Sequence, residues 1–257
     1  MSFGPLTRMR SVKDFDAVLC DLDGVITKTA ALHAAAWKRL FDEYLMKLAA
    51  HTGSPGALFR LKEDYLLYVD GKSRHDGVRA FLESRGLALP LGSLDDPPDK
   101  DTIFGLASKK DAYFEAALRG SGVVVYPGTV QYLHVAKAAG LKAAVVSSSH
   151  HCREIIEAAG LTALFEVRID GQEIDRLHLS GKPAPDAFLE AARRLAVLPK
   201  NAMVIEDAQA GVQAGRAGGF GLVIGVNRGN QPDILRQHGA DIVVNDLAEL
   251  LPTGDAS

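Results

Sequence analysis

Asp21-Leu22-Asp23-Gly24 follows the apolar run Ala17-Val18-Leu19-Cys20, so two carboxylates stand one residue apart where a strand ends. Side chains alternate along a strand with period two, which turns Asp21 and Asp23 the same way and sends Leu22 to the core. Like charges that share a site need a cation between them or a proton on one of them, and hard carboxylate oxygens suit Mg²⁺. The pair therefore fits a phosphoryl-transfer nucleophile with an acid–base partner. Taken alone, D-x-D-G more often marks an acidic strand-to-turn exit.

Three later segments shift that balance. Val145-Val146-Ser147-Ser148-Ser149 reads as a buried strand ending in hydroxyls where a helix should begin and offer free N–H groups to an anion. Gly181-Lys182-Pro183-Ala184-Pro185-Asp186 sets a lysine in a stiff turn before a helix, and Ala202-Met203-Val204-Ile205-Glu206-Asp207 is a second strand with acids at its carboxyl end, followed by Gly211 and Gly215. Each has a plainer reading by itself: Ser147 as a helix cap, Lys182 as an exposed lysine, Glu206-Asp207 as a helix N-terminus favoured by its dipole. In a parallel sheet, however, the carboxyl ends of the strands meet at one edge, where doubly wound folds bind ligands. Together the segments supply a nucleophile, phosphate donors, a cation and metal-binding carboxylates.

This ordered set resembles the haloacid dehalogenase (HAD) superfamily of phosphotransferases over nearly the whole span from Asp21 to Asp207. Within it, Asp21-Leu22-Asp23-Gly24-Val25-Ile26-Thr27, His33 and Trp37, Gly181 to Asp186, and Glu206-Asp207-Ala208-Gln209-Ala210-Gly211 are similar to the beta-phosphoglucomutase-like family. The resemblance implies an α/β fold: a Rossmannoid parallel sheet core with an inserted helical cap of C1 type. It also implies roles. Asp21 would attack phosphorus and become an aspartyl phosphate, while Asp23 serves as general acid and base. Mg²⁺ would sit on Asp21, the backbone carbonyl of Asp23, and Asp207, with Glu206 nearby. Ser147 and Lys182 would hold the phosphoryl group, the lysine also neutralising Asp21.

For substrate choice the resemblance points to the cap. Gly71-Lys72-Ser73-Arg74 is similar to the segment in which the mutases place an arginine for the second phosphate of a sugar bisphosphate, and Lys109 falls where they place a substrate-facing lysine. A planar guanidinium suits a phosphate dianion, although a solvated basic residue is the plainer fate of either. His33 matches a position close to the hinge and the nucleophile loop. Ser148 and Ser149 extend the hydroxyl run of the phosphate end. Two departures stand out. Lys28 replaces the aspartate expected at the hinge, and His150-His151-Cys152 stands where the mutases carry a lysine and an asparagine that touch sugar phosphate. Adjacent helix residues point about 100° apart, a poor chelate, so His150 and His151 are read as phosphate donors rather than metal ligands.

The elements that must carry these residues alternate in type. After the first strand Trp37, Leu40, Phe41, Tyr44, Leu45 and Leu48 recur at helical spacing, and helix-like sequence continues over 58–87 and 109–118. From Val123 on, strand and helix patterns alternate, with strands expected over 143–147, 165–169, 202–206, 221–226 and 241–244, the signature of a parallel sheet with right-handed crossovers. We therefore expect a helical cap over 30–121 on a core formed by 1–29 and 122–257, hinged near 28–31 and 119–123. The acid- and proline-rich stretch 89–105 is expected to be a solvated cap loop, since its acids lack the spacing of a calcium loop.

Bulk properties set the outer limits. A chain of 257 residues, 47% hydrophobic, can bury a main core and a smaller module. A net charge of −3 leaves no footprint for nucleic acid or an anionic membrane. Cys20 and Cys152 are too few for a disulfide scaffold, and the start, Met1 to Asp16, has no apolar run of a signal peptide or anchor. The expectation is a cytoplasmic, monomeric, Mg²⁺-dependent enzyme acting on a small sugar phosphate, with no nucleic acid or membrane partner. The resemblance implies a mutase that interconverts beta-D-glucose 1-phosphate and glucose 6-phosphate through a bisphosphate. A sugar-phosphate phosphatase is the alternative, and a catalytically silent phospho-ligand-binding module is a third reading that the intact Asp21, Asp23, Ser147, Lys182 and Asp207 oppose.

Overall fold

Strand β1 (Ala17–Cys20) is buried at every position, so its apolar run is that of a strand covered on both faces. The computed structural model describes residues 14–53, 57–229 and 232–252, which leaves most of the Met1–Asp16 stretch outside them. Around β1 lie β2 (Lys142–Val146), β3 (Val167–Ile169), β4 (Ala202–Glu206), β5 (Leu222–Val226) and β6 (Ile242–Val244), in the order β3-β2-β1-β4-β5-β6. Every neighbouring pair is parallel, and Ala17 stands opposite Lys142 on one side and Ala202 on the other. The order reverses beside β1. That is the switch point at which ligands bind in open α/β sheets, and Asp21 is the residue that leaves the strand there.

Two apolar layers cover the sheet. Helices α4 (Pro127–Ala138) and α5 (Cys152–Ala158) lay Tyr132, Leu133, Ile155 and Ile156 on one face. On the other, α6 (Gly171–Leu177), α7 (Asp186–Arg194), α8 (Gln209–Ala217) and α9 (Pro232–Gln237) bring Ile174, Phe188, Val212 and Leu235. Cys20 and Cys152 are buried in the first layer and unpaired.

Helices α1 (Ala30–Thr52), α2 (Arg74–Ser84) and α3 (Ile103–Ser121) form a third cluster of their own. Its centre is Phe41, whose ring lies 5.2 Å from Phe59 and 4.0 Å from Phe81. The two chain segments joining this module to the sheet run side by side, Lys28 N–H donating to Val124 O (2.8 Å) and Tyr126 N–H to Ile26 O (2.9 Å).

Two expectations need correction here. The helical pattern over 58–87 is not one helix: a π-helical turn (Tyr65–Val69) ends in extended backbone at Asp70, and α2 restarts after Ser73, whose hydroxyl caps Asp76 N–H. The 89–105 stretch is loop only as far as Thr102, for Ile103 to Gly105 open α3 under the Thr102 cap. Nor is that loop wholly solvated. Asp96 is buried and accepts from Ser93 N–H, Thr102 and Lys100, so one acid of the run organises the turn while Asp95, Asp99 and Asp101 face solvent. Among the described residues no helix is long and apolar enough to cross a membrane.

Candidate active site

The carboxyl ends of β1, β2 and β4 converge. Lys182, in the turn before α7, is buried with its Nζ 2.5 Å from Asp21 Oδ1, 2.5 Å from Glu206 Oε1 and 3.3 Å from Val146 O. One ammonium thus ties three strand ends together. Burial would by itself lower the lysine pKa, but the two carboxylates reverse that and push it up, so it is a fixed cation.

Asp207 extends the acidic cluster. Oxygens of Asp21, Glu206 and Asp207 all lie within 4.8 Å of one another. Gly24 is what lets Asp207 approach: its φ of +93° is costly for a side chain, and a Cβ there would stand 1.8 Å from Asp207 Oδ2. Burial, then the charges of Asp70, Glu206 and Asp21, push the Asp207 carboxyl well above its ordinary range, and burial raises Asp21 likewise against the pull of Lys182. Three hard carboxylates crowded around a single ammonium form a donor set that suits Mg²⁺, which would discharge this excess of negative charge.

Asp23 has a different setting. Thr29 donates to its Oδ1, Ser147 Oγ lies 3.4 Å from Oδ2, and His33 Nε2 faces Oδ1 at 3.3 Å. Against the cost of burial, His33 and Thr29 hold Asp23 down to about 2. His33 stacks on Phe114 at 3.8 Å, and its Nδ1 takes Lys110 Nζ at 2.7 Å. With Lys110 donating to Nδ1, the neutral ring carries its proton on Nε2, the atom on the Asp23 side. Burial and Lys110 both lower the His33 pKa, and burial brings Lys110 to about 8.

A cavity of about 60 Å³ joins this cluster to the helical module. At its far side Arg74 pairs with Asp111 (3.0 Å), whose other oxygen faces His151 Nε2 (3.1 Å). Burial works against it, yet the nearby His151 and Arg74 hold Asp111 at about 2. His150 pairs with Asp175 at 2.9 Å. Ser148 Oγ donates to Gly71 O at 2.9 Å, and Ser149 Oγ accepts from His151 N–H at 3.2 Å.

Most of the residues expected from sequence are therefore brought together. Asp21, Asp23, His33, Arg74, Ser147, Ser148, Ser149, His150 and Asp207 line the cavity, with Lys182 and Glu206 directly behind Asp21. Two do not line it. His151 is turned to Asp111, and Lys109 points away to Glu43 (3.0 Å) beside Tyr113. The lysine that reaches the cavity is Lys110, and the sequence held the signal: it lies on the buried stripe of Leu106, Ala107 and Phe114, whereas Lys109 is about 100° off that stripe. Asp70, Tyr65 and Lys72 also line the cavity, from an irregular segment that no periodicity marks.

The comparisons with known proteins agree with this geometry. Residues 15–219 match the model of the haloacid dehalogenase-like hydrolase family. The chain is 50% identical over 238 residues to a beta-phosphoglucomutase of Mycobacterium tuberculosis, covering 91% of each. With a beta-phosphoglucomutase of Bacillus subtilis it shares 29% over 234 residues, again 91% of each. The solved structure of a Clostridium difficile beta-phosphoglucomutase superposes with a TM-score of 0.70 at 26% identity, covering 92% of this chain and 93% of that one. An acidic strand end, a buried lysine and these relatives lead to one conclusion: the chain is an enzyme of the phosphomutase and phosphatase type and belongs to the haloacid dehalogenase-like hydrolase family.

Proposed function

We propose that this enzyme is a Mg²⁺-dependent beta-phosphoglucomutase, which interconverts beta-D-glucose 1-phosphate and glucose 6-phosphate through an aspartyl phosphate and a bisphosphate. The observation that carries the reading is that one cavity has a cationic group at each end, Lys182 beside Asp21 and Arg74 with Lys110 on the helical module. A hydrolase needs the first end only. A mutase must hold a bisphosphate by both.

Asp21 is the nucleophile, and Lys182 sits where it neutralises both this carboxylate and an incoming phosphoryl oxygen. Ser147, at the end of β2, is placed to donate to a second phosphoryl oxygen. A divalent cation held by Asp21 and Asp207, with Glu206 behind, would supply the charge that lets an anionic nucleophile meet an anionic phosphate. Asp23 is held low by the neighbouring His33 and the Thr29 hydroxyl, so its first task is that of a base. It takes the proton of the sugar hydroxyl that attacks phosphorylated Asp21, and returns a proton to the leaving oxygen in the reverse transfer. Such a cycle starts from phosphoenzyme, as a mutase does.

The helical module, 30–121, acts as the cap. The cavity is lined from both sides, by Asp21 and Asp207 of the core and Asp70 and Arg74 of the module, so lifting the module on its two paired linkers would load substrate and closing it would exclude water. Two buried, unpaired cysteines accord with a reducing cytoplasm.

The test is product analysis. Enzyme primed with glucose 1,6-bisphosphate and Mg²⁺ should turn beta-glucose 1-phosphate into glucose 6-phosphate faster than it releases inorganic phosphate. Faster phosphate release would make it a sugar-phosphate phosphatase instead.

A further inference from the structure

Arg228, in the loop after β5, gives its guanidinium to two carbonyls and a ring rather than to a carboxylate. Its Nε–H donates to Gly24 O at 2.7 Å and its Nη1 to Asn245 O at 2.8 Å, while the guanidinium carbon lies 3.5 Å from the centre of the Tyr126 ring. Each partner belongs to a different part of the molecule. Gly24 closes the Asp21-Leu22-Asp23-Gly24 turn, Tyr126 is the last residue of the linker that leads from the helical module into α4, and Asn245 follows β6 in the core. Lys28, on the other linker, lies 5.4 Å from the same ring. Both linkers and the core thus meet at one aromatic side chain.

The Gly24 carbonyl matters because of what stands on the other side of that residue. Gly24 has φ +93°, a Cβ there would fall 1.8 Å from Asp207 Oδ2, and its N–H donates to Thr27 O at 2.8 Å. The turn is therefore packed on Asp207 at one side and held by Arg228 at the other. Glycine has wide backbone freedom, so the partner of its carbonyl decides where the turn rests. A guanidinium over an aromatic face is a directional contact, and displacing the ring displaces the cation that holds the turn.

We infer that Arg228 couples the seating of the helical module to the shape of the nucleophile turn: its guanidinium rests on the Tyr126 ring while that linker lies against the core, and from that position it holds the Gly24 carbonyl. Arg228 is a positioning residue. It acts through Gly24 and does not line the cavity. The catalytic consequence rests on the reading of Asp21 as the nucleophile, whereas the coupling does not, and the test separates the two.

Amide exchange of the metal-free, substrate-free protein, followed residue by residue by NMR, reads the Gly24 N–H directly. Arg228→Met should speed Gly24 exchange by about fivefold or more, and so should Tyr126→Leu, which removes the ring and leaves Arg228 in place. Tyr126→Phe keeps the ring and should match the wild type within about 1.5-fold. In the double variant, Tyr126→Leu should add less than about 1.5-fold to Arg228→Met, because both changes break one contact. Gly24 exchange unmoved by Tyr126→Leu overturns the inference, as do effects that multiply in the double variant. Equal acceleration across β2 overturns it too, since Arg228 would then support only the overall fold. Acetyl phosphate hydrolysis with Mg²⁺ is the second readout: kcat should fall about fivefold in both single variants, with KM within about twofold of the wild type. Gly24 exchange that responds while kcat does not leaves the coupling standing and counts against the nucleophile assignment instead.

Discussion

The two ends of the cavity balance their charges in opposite ways. At the sheet end, Asp21, Glu206 and Asp207 share one buried lysine, so the cluster carries more negative charge than its cation can neutralise. At the module end, Arg74, Asp111 and His151 already form a chain of opposite charges. The first has carboxylates in excess of its cation and is built on the ends of buried strands. The second is complete by itself and has to release a partner before it can take a phosphate. In the proposed function, chemistry falls to the unsatisfied end and substrate exchange to the satisfied one, which has a partner to release.

The contrast is sharpest at the proposed nucleophile. Asp21→Asn keeps the shape and removes the attacking oxygen, so turnover should fall by at least about 10³-fold, roughly 4 kcal/mol of transition-state stabilisation. Mutase turnover in a coupled assay checks this, and a loss under tenfold would move the nucleophile elsewhere. Chelation should be as severe and reversible by Mg²⁺, with Asp207→Ala needing more metal for half activity.

Lys182 comes next, because it ties three strand ends together and, in the proposed function, also holds the phosphoryl group. Lys182→Ala should lower turnover by about 10²–10³-fold. It should also cost about 3–5 kcal/mol in urea unfolding, since Asp21 and Glu206 are left buried without their cation. Lys182→Met, which keeps the volume, should lose nearly as much. Full stability in the methionine variant would mean that packing, not charge, holds the strand ends.

At the module end the effects should be smaller and selective. Arg74→Ala removes a charge-assisted contact worth roughly 1.5–3 kcal/mol, so mutase turnover should drop about ten- to a hundredfold. Hydrolysis of acetyl phosphate, which needs only the sheet end, should be largely spared. Equal losses in both reactions would show that Arg74 supports the fold of the module rather than a second phosphate.

The same contrast explains what could be read from the sequence. Residues at the sheet end are announced by their elements: an apolar strand that stops in Asp21, another in Ser147, a third in Glu206-Asp207. Strand alternation and strand ends are local patterns, and a parallel sheet brings such ends together without further information. At the module end the useful residues sit on helix faces and an irregular turn. Lys109 and Lys110 are neighbours in sequence, and only the buried stripe through Leu106 and Phe114 separates the inward lysine from the outward one. Asp70 was illegible for another reason. Its place depends on Gly71 meeting Ala208, a contact between residues 137 positions apart that no periodicity encodes.

The smallest expected effect concerns the link between the module and the core, Asp111 on α3 with His151 just before α5. The close Asp111 carboxylate raises the His151 pKa against its partial burial, with further help from the Glu115 charge, while Lys110 opposes them. A histidine whose folded pKa lies above the ordinary value of about 6.5 contributes stability that is complete below that value and is lost as pH rises through the raised one. The link should therefore weaken on the alkaline side, not the acid side, until Asp111 itself protonates near 2. His151→Gln keeps a polar side chain but cannot become a cation. Its urea stability should trail the wild type by about 0.5–1 kcal/mol at pH 6, a modest figure because the pair is partly open to solvent. By pH 9 the gap should close. A gap of equal size at both pH values would mean that His151 acts through its shape, and that the module end, like the sheet end, is held by fixed rather than releasable charge.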